Sequence, residues 1–333
     1  YYDNPKRPKT HFWFGPMTMI DFLGCNNQSR FLWPGTSHEA PLYTQKLGVR
    51  ASLQDMEKNH PNDSVTMMMF SIPKYSAGDN NGQFNRTRGP LGRKYRRLID
   101  ALFFPPDTIA DDNGGATATD ISCYDQAANA EVPRSKGNTT PTMGFMLAFN
   151  QFSINSTCKN WAPSPAPTGE AGGLGRKGAQ KMVIFLTDGV ANTVAEGPSK
   201  FISSGTPQNS YYQVRIPGEY PSSSGSVNSQ LYAVVDKMCA NESSGGFSTT
   251  RKPVKIHSLA FGTLFEPTTT SSDKTTALGI LQNVAWRGGT LASASTPLPD
   301  ENRIIGNSSA RVLKLQAAFK RIMQDGQQVS LLE

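Results

Sequence analysis

The sequence predicts an α/β fold with a doubly wound, mainly parallel sheet that is flanked by helices and carries long loop insertions. Two observations predict it. Apolar residues at helical spacing alternate along the chain with short apolar runs that are typical of strands. Several runs are apolar on both faces, as in strands that helices cover on either side. Strands that alternate with helices form βαβ units and therefore a mainly parallel sheet.

The first half of the chain contains one predicted strand and three predicted helices. Val49, Leu53 and Met56 recur at the spacing of one helix face. The same kind of spacing predicts helices over about 46–58, 95–103 and 142–152. The run 64–72 lies between the first two helices, is apolar on both faces and predicts a central strand.

The second half continues the alternation. The clearest strand is 181–187, where five apolar residues precede a Thr-Asp-Gly sequence. A further strand covers 254–261, and 329–332 is predicted as an edge strand. Apolar spacing predicts helices over about 227–238, 278–284 and 312–322. A pair of glycines closes the middle one of these helices.

We expect one domain with insertions rather than two domains. The 333 residues are enough for either arrangement, but no internal repeat or break in composition divides them. Long polar loops are predicted at about 73–93, 105–138, 156–180, 196–226 and 290–308. Loops of this length are commonly functional or disordered. The Ser/Gly/Tyr-rich segment 196–226 is predicted to be a surface insertion specific to this protein.

Charge and hydropathy exclude several classes of protein. The net charge is +7, but the basic residues are scattered, with their densest cluster at 86–97, and no nucleic-acid recognition motif is present. We therefore expect a solvated basic surface and no nucleic-acid partner. No apolar run reaches the length of about eighteen residues that a membrane span requires. Because the chain begins at Tyr1, we expect any export signal or membrane anchor to lie upstream.

The four cysteines are far apart and include no Cys-x-x-Cys pair, which argues against a zinc or redox motif. Cys123 and Cys158 flank one predicted helix and are the pair that we favour for a disulfide. Four free thiols remain the alternative, with Cys25 and Cys239 included.

The candidate site lies at the carboxyl end of strand 181–187, where ligands of open α/β sheets bind. Asp188 follows this strand directly, and Thr139, in a Gly-Asn-Thr-Thr-Pro turn, opens the preceding helix. The two segments resemble two of the three metal-site motifs of von Willebrand factor A (vWA) domains. In that family Mg²⁺ is held by Asp-x-Ser-x-Ser after the first strand, by a threonine, and by the aspartate of Thr-Asp-Gly. The resemblance implies Thr139 and Asp188 as Mg²⁺ ligands, with Thr140 as the alternative threonine.

These residue types suit the ion. Mg²⁺ prefers oxygen ligands in octahedral geometry and keeps several waters. Hydroxyls and one or two carboxylates leave a coordination position for a carboxylate of a partner protein. The competing interpretation is that Thr139 and Asp188 only cap a helix and a turn.

The order of elements also resembles that of vWA domains over about residues 45–330. The chain is most similar to the TadG-like proteins of tight-adherence (Flp) pilus assembly systems, which are envelope proteins with a membrane anchor ahead of a vWA domain. The resemblance implies a vWA-like domain at 45–333, preceded by an N-terminal insertion or extension at 1–44.

One motif of the family is missing, because Asp-x-Ser-x-Ser occurs nowhere in the chain. The nearest segment, 17–25, is a strand-like run, but it places Leu23 and Cys25 after Asp21, where the family has hydroxyls. The alternative interpretation is that this segment is the first strand with a degenerate site. We therefore expect the first strand and its motif upstream of Tyr1. On that interpretation another segment or chain must fill the gap in the sheet.

No set of catalytic residues is recognisable. The four histidines lack metal-ligand spacing, and neither a nucleophile elbow nor a phosphate-binding loop is present. His257 lies in a predicted strand, where a buried core histidine is the ordinary interpretation. The carboxylates at 111–112 and 120–125 fit no EF-hand pattern and predict a solvated acidic loop. We expect no enzymatic activity.

The sequence is compatible with three functions. The first is an extracellular or cell-surface vWA module for protein–protein binding, adhesion or pilus and surface assembly, with or without Mg²⁺. The second is a structural subunit of a filament or surface layer with a degenerate metal site. The aromatic residues near the start, which could cover the sheet edge or form an intermolecular contact, and the missing strand argue for it. The third is an enzyme with Asp188 as a base or metal ligand, for which no second catalytic group is found.

Overall fold

The computed structural model of this protein describes residues 42–70, 86–87, 91–103, 139–152, 180–193, 225–239 and 254–331. They form a mixed α/β fold. The helices are α1 (Leu42–Asn59), α2 (Tyr95–Phe103), α3 (Pro141–Phe152), α4 (Val227–Cys239), α5 (Ser272–Arg287) and α6 (Ser308–Leu331). The strands are β1 (Met68–Met69), β2 (Arg86–Thr87), β3 (Lys181–Thr187), β4 (Val254–Phe261) and β5 (Arg303–Ile304). Among the described residues, no helix is long and apolar enough to cross a membrane.

The parallel sheet has the strand order β3–β4–β5. Its longest pairing runs the full length of β3, from Lys181 opposite Val254 to Thr187 opposite Ala260. Helix α4 connects the first parallel pair and α5 connects the second. Since parallel strands need such crossovers, this part of the chain is built from βαβ units, as the alternating pattern predicts.

Helices pack against both faces of this sheet. Side chains of β4 alternate between the two faces, because successive residues of a strand point to opposite sides. Ile256 and Ala260 pack with α3, α4 and α5, whereas Leu259 and Phe261 pack with α6. All four are fully buried. Strand β4 is therefore the central strand of the described sheet.

Two close approaches fix helices to their neighbours. An ideal Cβ on Gly48 of α1 would lie 2.6 Å from Cδ2 of Leu315, so the glycine lets α1 approach α6 closely. At the end of α5, an ideal Cβ on Gly288 would lie 2.8 Å from the backbone N of Ile256. There the N–H of Ile256 donates to the carbonyl of Gly288 at 3.1 Å. Gly289 follows with a φ of 70°, as in a Schellman end to a helix.

The predicted central strand at 64–72 is wrong in its described part, residues 64–70. Among these residues only Met68 and Met69 form a strand, and they pair antiparallel with β2 rather than with the parallel sheet. Val65 forms an isolated antiparallel bridge to Gly92. The described part of the run is half-buried to exposed, so it does not have the two buried faces that the sequence pattern indicated.

Two other predictions are corrected at the carboxyl-terminal end. The predicted edge strand at 329–332 is helical up to Leu331, because α6 continues through it. The predicted loop 290–308 contains a 3₁₀ turn at Asp300–Asn302 and the short strand β5. Helices α3, α4 and α5 and strands β3 and β4 lie where the sequence predicts them, with α5 beginning six residues earlier.

Several predictions concern residues outside the described ranges. They include the segments 1–41, 105–138, 156–179 and 196–224, with the candidate strand 17–25, the acidic loop and Cys25, Cys123 and Cys158. Cys239, which is described, is partly buried at the end of α4 against the core.

Candidate functional site

A tight turn follows β3 at the carboxyl edge of the sheet. The N–H of Gly189 donates to Oγ1 of Thr187, and this hydroxyl lies 3.3 Å from both the N and the O of Gly189. Thr187 is buried, whereas Asp188 is exposed. The threonine hydroxyl therefore holds the turn, and the aspartate between these two residues stands at the rim.

The turn before α3 lies against this edge. An ideal Cβ on Gly189 would lie 4.0 Å from Oγ1 of Thr139, which is van der Waals contact. Thr139 is partly exposed. The structure thus brings together the two segments that carry Thr139 and Asp188, which are far apart in the sequence.

Asn192 joins the two segments by hydrogen bonds on both sides of Thr139. The N–H of Thr139 donates to Oδ1 of Asn192 at 2.9 Å, and the N–H of Asn192 donates to the carbonyl of Thr139 at 3.1 Å. Oδ1 of Asn192 accepts a second hydrogen bond from the hydroxyl of Thr193 at 2.8 Å. We call this reciprocal pair of hydrogen bonds between residues 139 and 192 the latch.

Two hydroxyls behind Thr139 are buried without partners. Thr140 precedes Pro141, the first residue of α3, and Thr142 follows it. Both threonines are fully buried, and their Oγ1 atoms have no hydrogen-bond partner in the described part of the chain. A buried hydroxyl that lacks a partner costs about 1–3 kcal/mol. The described residues alone therefore leave the start of α3 with two unsatisfied polar groups.

The surroundings of Asp188 disfavour the charged form of its carboxylate when no cation is near it. Desolvation by the surrounding protein raises its pKa above the ordinary value, and a hydrogen bond from its own backbone N–H opposes that shift. The side chain is nevertheless exposed to solvent, so water reduces the cost of charging it. A cation at this position would offset the remaining cost, because an opposite charge stabilises the ionised carboxylate.

The oxygen atoms at this edge are of the types that a hard cation prefers as ligands. Mg²⁺ prefers hydroxyl and carboxylate oxygens, which Thr139 and Asp188 supply. Within the described ranges, however, no group of three or more His, Cys, Asp or Glu residues could hold a metal ion. The remaining ligands of a hexacoordinate ion would have to be waters, residues outside these ranges or a partner's side chain.

Thr139 suits the ligand role better than Thr140, because Thr139 is partly exposed to solvent and Thr140 is fully buried.

Asn192 was missed by sequence reasoning. It stands four residues after Asp188, but no pattern of residue types shows that an asparagine side chain accepts a hydrogen bond from the backbone N–H of a distant turn.

His257 lies half-buried on β4, and desolvation together with the charge of Arg321 lowers its pKa to about 4.

The fold and the site thus define a mixed α/β protein with a small parallel sheet. No protein-family model matches the chain, and no curated protein matches it. Among solved structures, it is similar to the pilus adhesin SpaC from Lactobacillus rhamnosus GG. The identity is 14%, the TM-score is 0.43, and the match covers 86% of this chain and 28% of that chain. This chain thus corresponds to about a quarter of the adhesin's length, and no residue role is carried over from it.

Proposed function

We propose that this chain is a vWA-type binding module of an extracellular or surface-anchored protein and that it binds a protein partner through Mg²⁺. Thr139 and Asp188 are the proposed ligands, and the carboxyl edge of the parallel sheet is the proposed contact surface. The chain acts by binding and not by catalysis, and its role is in adhesion or in the assembly of a pilus or surface structure.

The observation that carries the proposal is the contact between the Thr139 turn and the Thr187–Gly189 turn. Helices on both faces of a parallel sheet, with chemistry at its carboxyl edge, also support a doubly wound vWA-like architecture. The raised pKa of Asp188 adds support, because a nearby cation stabilises the charged form of a carboxylate that desolvation disfavours.

The roles of the chain's own residues follow from their positions. Asp188 supplies negative charge at the rim, and the partly exposed Thr139 supplies a neutral hydroxyl oxygen. Thr187 holds the turn between them through its hydroxyl. A bound Mg²⁺ would supply an open coordination position that attracts a carboxylate oxygen of the partner. A site with one carboxylate keeps enough positive charge on the ion for that attraction.

The test compares the metal response of wild type with that of Asp188→Ala. Mg²⁺ or Mn²⁺ is titrated into each protein, and the melting temperature is measured at every concentration. We expect wild type to be stabilised by the ion, because a ligand that binds only the folded state stabilises it. Asp188→Ala should lose this response. Its melting temperature in EDTA should not fall below that of wild type, since the variant loses a desolvated carboxylate.

Asp273→Ala is the matched control, because it removes an exposed carboxylate from the first turn of α5. This variant should keep the full response to Mg²⁺. A metal response that persists in Asp188→Ala, or is absent from wild type, contradicts the proposed metal site. A carboxylate-bearing partner should in addition bind only in the presence of the ion.

The second candidate function is a structural subunit that shares a strand with its neighbours. It is favoured by β3, whose edge opposite β4 pairs with no other strand in the described part of the chain. This strand is seven residues long and mostly apolar, and such edges are templates for pairing with another chain. Light scattering over a range of concentrations would distinguish the two. A discrete mass independent of Mg²⁺ and larger than one chain favours the subunit, whereas a monomer favours the binding module.

A further inference from the structure

We infer that Asn192 is a positioning residue of the proposed metal site, which it serves by fixing the backbone of Thr139 beside Asp188. The inference rests on the proposed function, because it assigns a role in the same site. It concerns a residue that would not contact the metal and whose two hydrogen bonds hold one ligand against the segment that carries the other.

Asn192 holds the backbone of Thr139 at two points. Both the N–H and the carbonyl of Thr139 are bonded to Asn192, at 2.9 and 3.1 Å. Two anchors on opposite sides of one Cα restrict both the position and the rotation of that residue. The direction in which the Cα–Cβ bond of Thr139, and with it the side chain that carries the hydroxyl, leaves the backbone is therefore set by Asn192.

The two hydrogen bonds of the latch differ in kind. The carbonyl of Thr139 is held by a backbone N–H, which any residue except proline would provide at position 192. The N–H of Thr139 is held by a side-chain oxygen, which requires an acceptor at a particular distance from the backbone. Thr193 donates its hydroxyl to the same oxygen and so orients the amide of Asn192. The side chain of Asn192 is therefore the replaceable half of the latch.

The side chain of Asn192 contributes to the position of Thr139 and not to the hydrophobic core. Asn192 is exposed, so removing its side chain uncovers no core. The Thr139 turn is also held by α3, whose Phe145 packs against Phe185 of β3 with ring centroids 5.1 Å apart. Loss of the side chain should therefore loosen Thr139 without unfolding the protein.

The experiment measures Mn²⁺ affinity by electron paramagnetic resonance for wild type, Asn192→Ala, Asn192→Asp and Asp188→Ala. Removing a residue that orients a metal ligand costs roughly 10- to 100-fold in affinity. We expect about tenfold weaker binding for Asn192→Ala. Asn192→Asp keeps an acceptor oxygen at the same distance and should bind at least as tightly as wild type. Rescue by aspartate is a result that a loss of packing would not give.

Asn59→Ala is the matched control. It removes an exposed asparagine with one side-chain hydrogen bond, to Asp55 at the end of α1, and should leave Mn²⁺ affinity unchanged. A second readout needs no metal. The amide hydrogen of Thr139 should exchange faster with solvent in Asn192→Ala than in wild type, because its acceptor is gone.

The outcomes distinguish the inference from the proposed function. If Asp188→Ala loses Mn²⁺ but Asn192→Ala binds as tightly as wild type, the metal site stands and the positioning role is wrong. If wild type binds no Mn²⁺, or Asp188→Ala binds it equally well, the proposed function fails and the role of the latch in it fails too. Weakened binding in Asn192→Ala with rescue in Asn192→Asp supports both.

Discussion

Replacing Thr140 by valine should stabilise the metal-free protein. Thr140 is fully buried, and its hydroxyl has no hydrogen-bond partner in the described part of the chain. Valine has nearly the same shape and places a methyl group where the hydroxyl stood. Because that hydroxyl does not cap α3, its loss removes no bond that the described residues make.

The size of the effect follows from the cost of the unpaired group. A buried hydroxyl without a partner costs about 1–3 kcal/mol relative to one that is satisfied. Part of that cost is relieved by small adjustments of the chain, so we expect Thr140→Val to raise the free energy of unfolding by about 1 kcal/mol. Thr187→Val is the contrasting variant. Its hydroxyl is bonded to Gly189, and its loss should lower the free energy of unfolding by about 1 kcal/mol.

Urea denaturation in EDTA measures both effects on the same scale. A lower unfolding free energy for Thr140→Val would refute the reasoning, because it would show that the hydroxyl is satisfied in the native protein. The same variant, titrated with Mg²⁺, also decides between the two threonines. A ligand role for Thr139 predicts that Thr140→Val keeps its metal response and that Thr139→Val loses it.

Two further perturbations test the packing and the electrostatics of β4. Gly288→Ala should lower the free energy of unfolding by about 2–3 kcal/mol, because its Cβ would collide with the backbone of Ile256. Gly289→Ala meets open space and should cost about 1 kcal/mol for its positive φ, so equal losses in denaturation would contradict this account. His257 has a pKa of about 4, which burial and the charge of Arg321 lower. Between pH 6.5 and 4 the unfolded chain binds a proton that the native chain does not, which corresponds to about 3 kcal/mol. Because the ring is only half-buried, solvent screening reduces the expected loss of stability on acidification to about 2 kcal/mol. His257→Gln should lack that loss in pH-dependent denaturation, and identical pH profiles would refute it.

The long elements could be predicted from the sequence because each has a repeating apolar pattern. Strand β3 was predicted residue for residue, since its apolar run ends abruptly at a Thr-Asp-Gly sequence. Helix α1 begins at Leu42, four residues before the predicted start, because helix ends depend on contacts that periodicity does not report.

Short elements escaped prediction for a different reason. Strand β5 has two residues, so it has no period to detect, and it is a strand because it pairs with the end of β4. The run 329–332 is apolar and short, and such runs do not distinguish a strand from the end of a helix. The run 64–72 has a pattern typical of a central strand, yet its described part pairs at most with β2 and Gly92.

Some residues of the candidate site could likewise be predicted from the sequence, and others could not. Thr139 and Asp188 carry residue types and neighbours that a motif can specify, and the structure brings their segments together. Asn192 and the unsatisfied hydroxyls of Thr140 and Thr142 depend on which atoms meet after folding. A pattern of residue types contains no information about such pairings.

Positioning and binding at this edge can therefore be separated. The core pair of Phe145 and Phe185 and the latch at Asn192 fix where the two turns lie. Thr139 and Asp188 supply the oxygens that a cation or a partner would meet. If the chain is a binding module, changes to these two residues should abolish binding at constant stability. If it is a strand-sharing subunit, the same changes should leave its assembly intact, because the unpaired edge of β3 and not the rim would then make the contact.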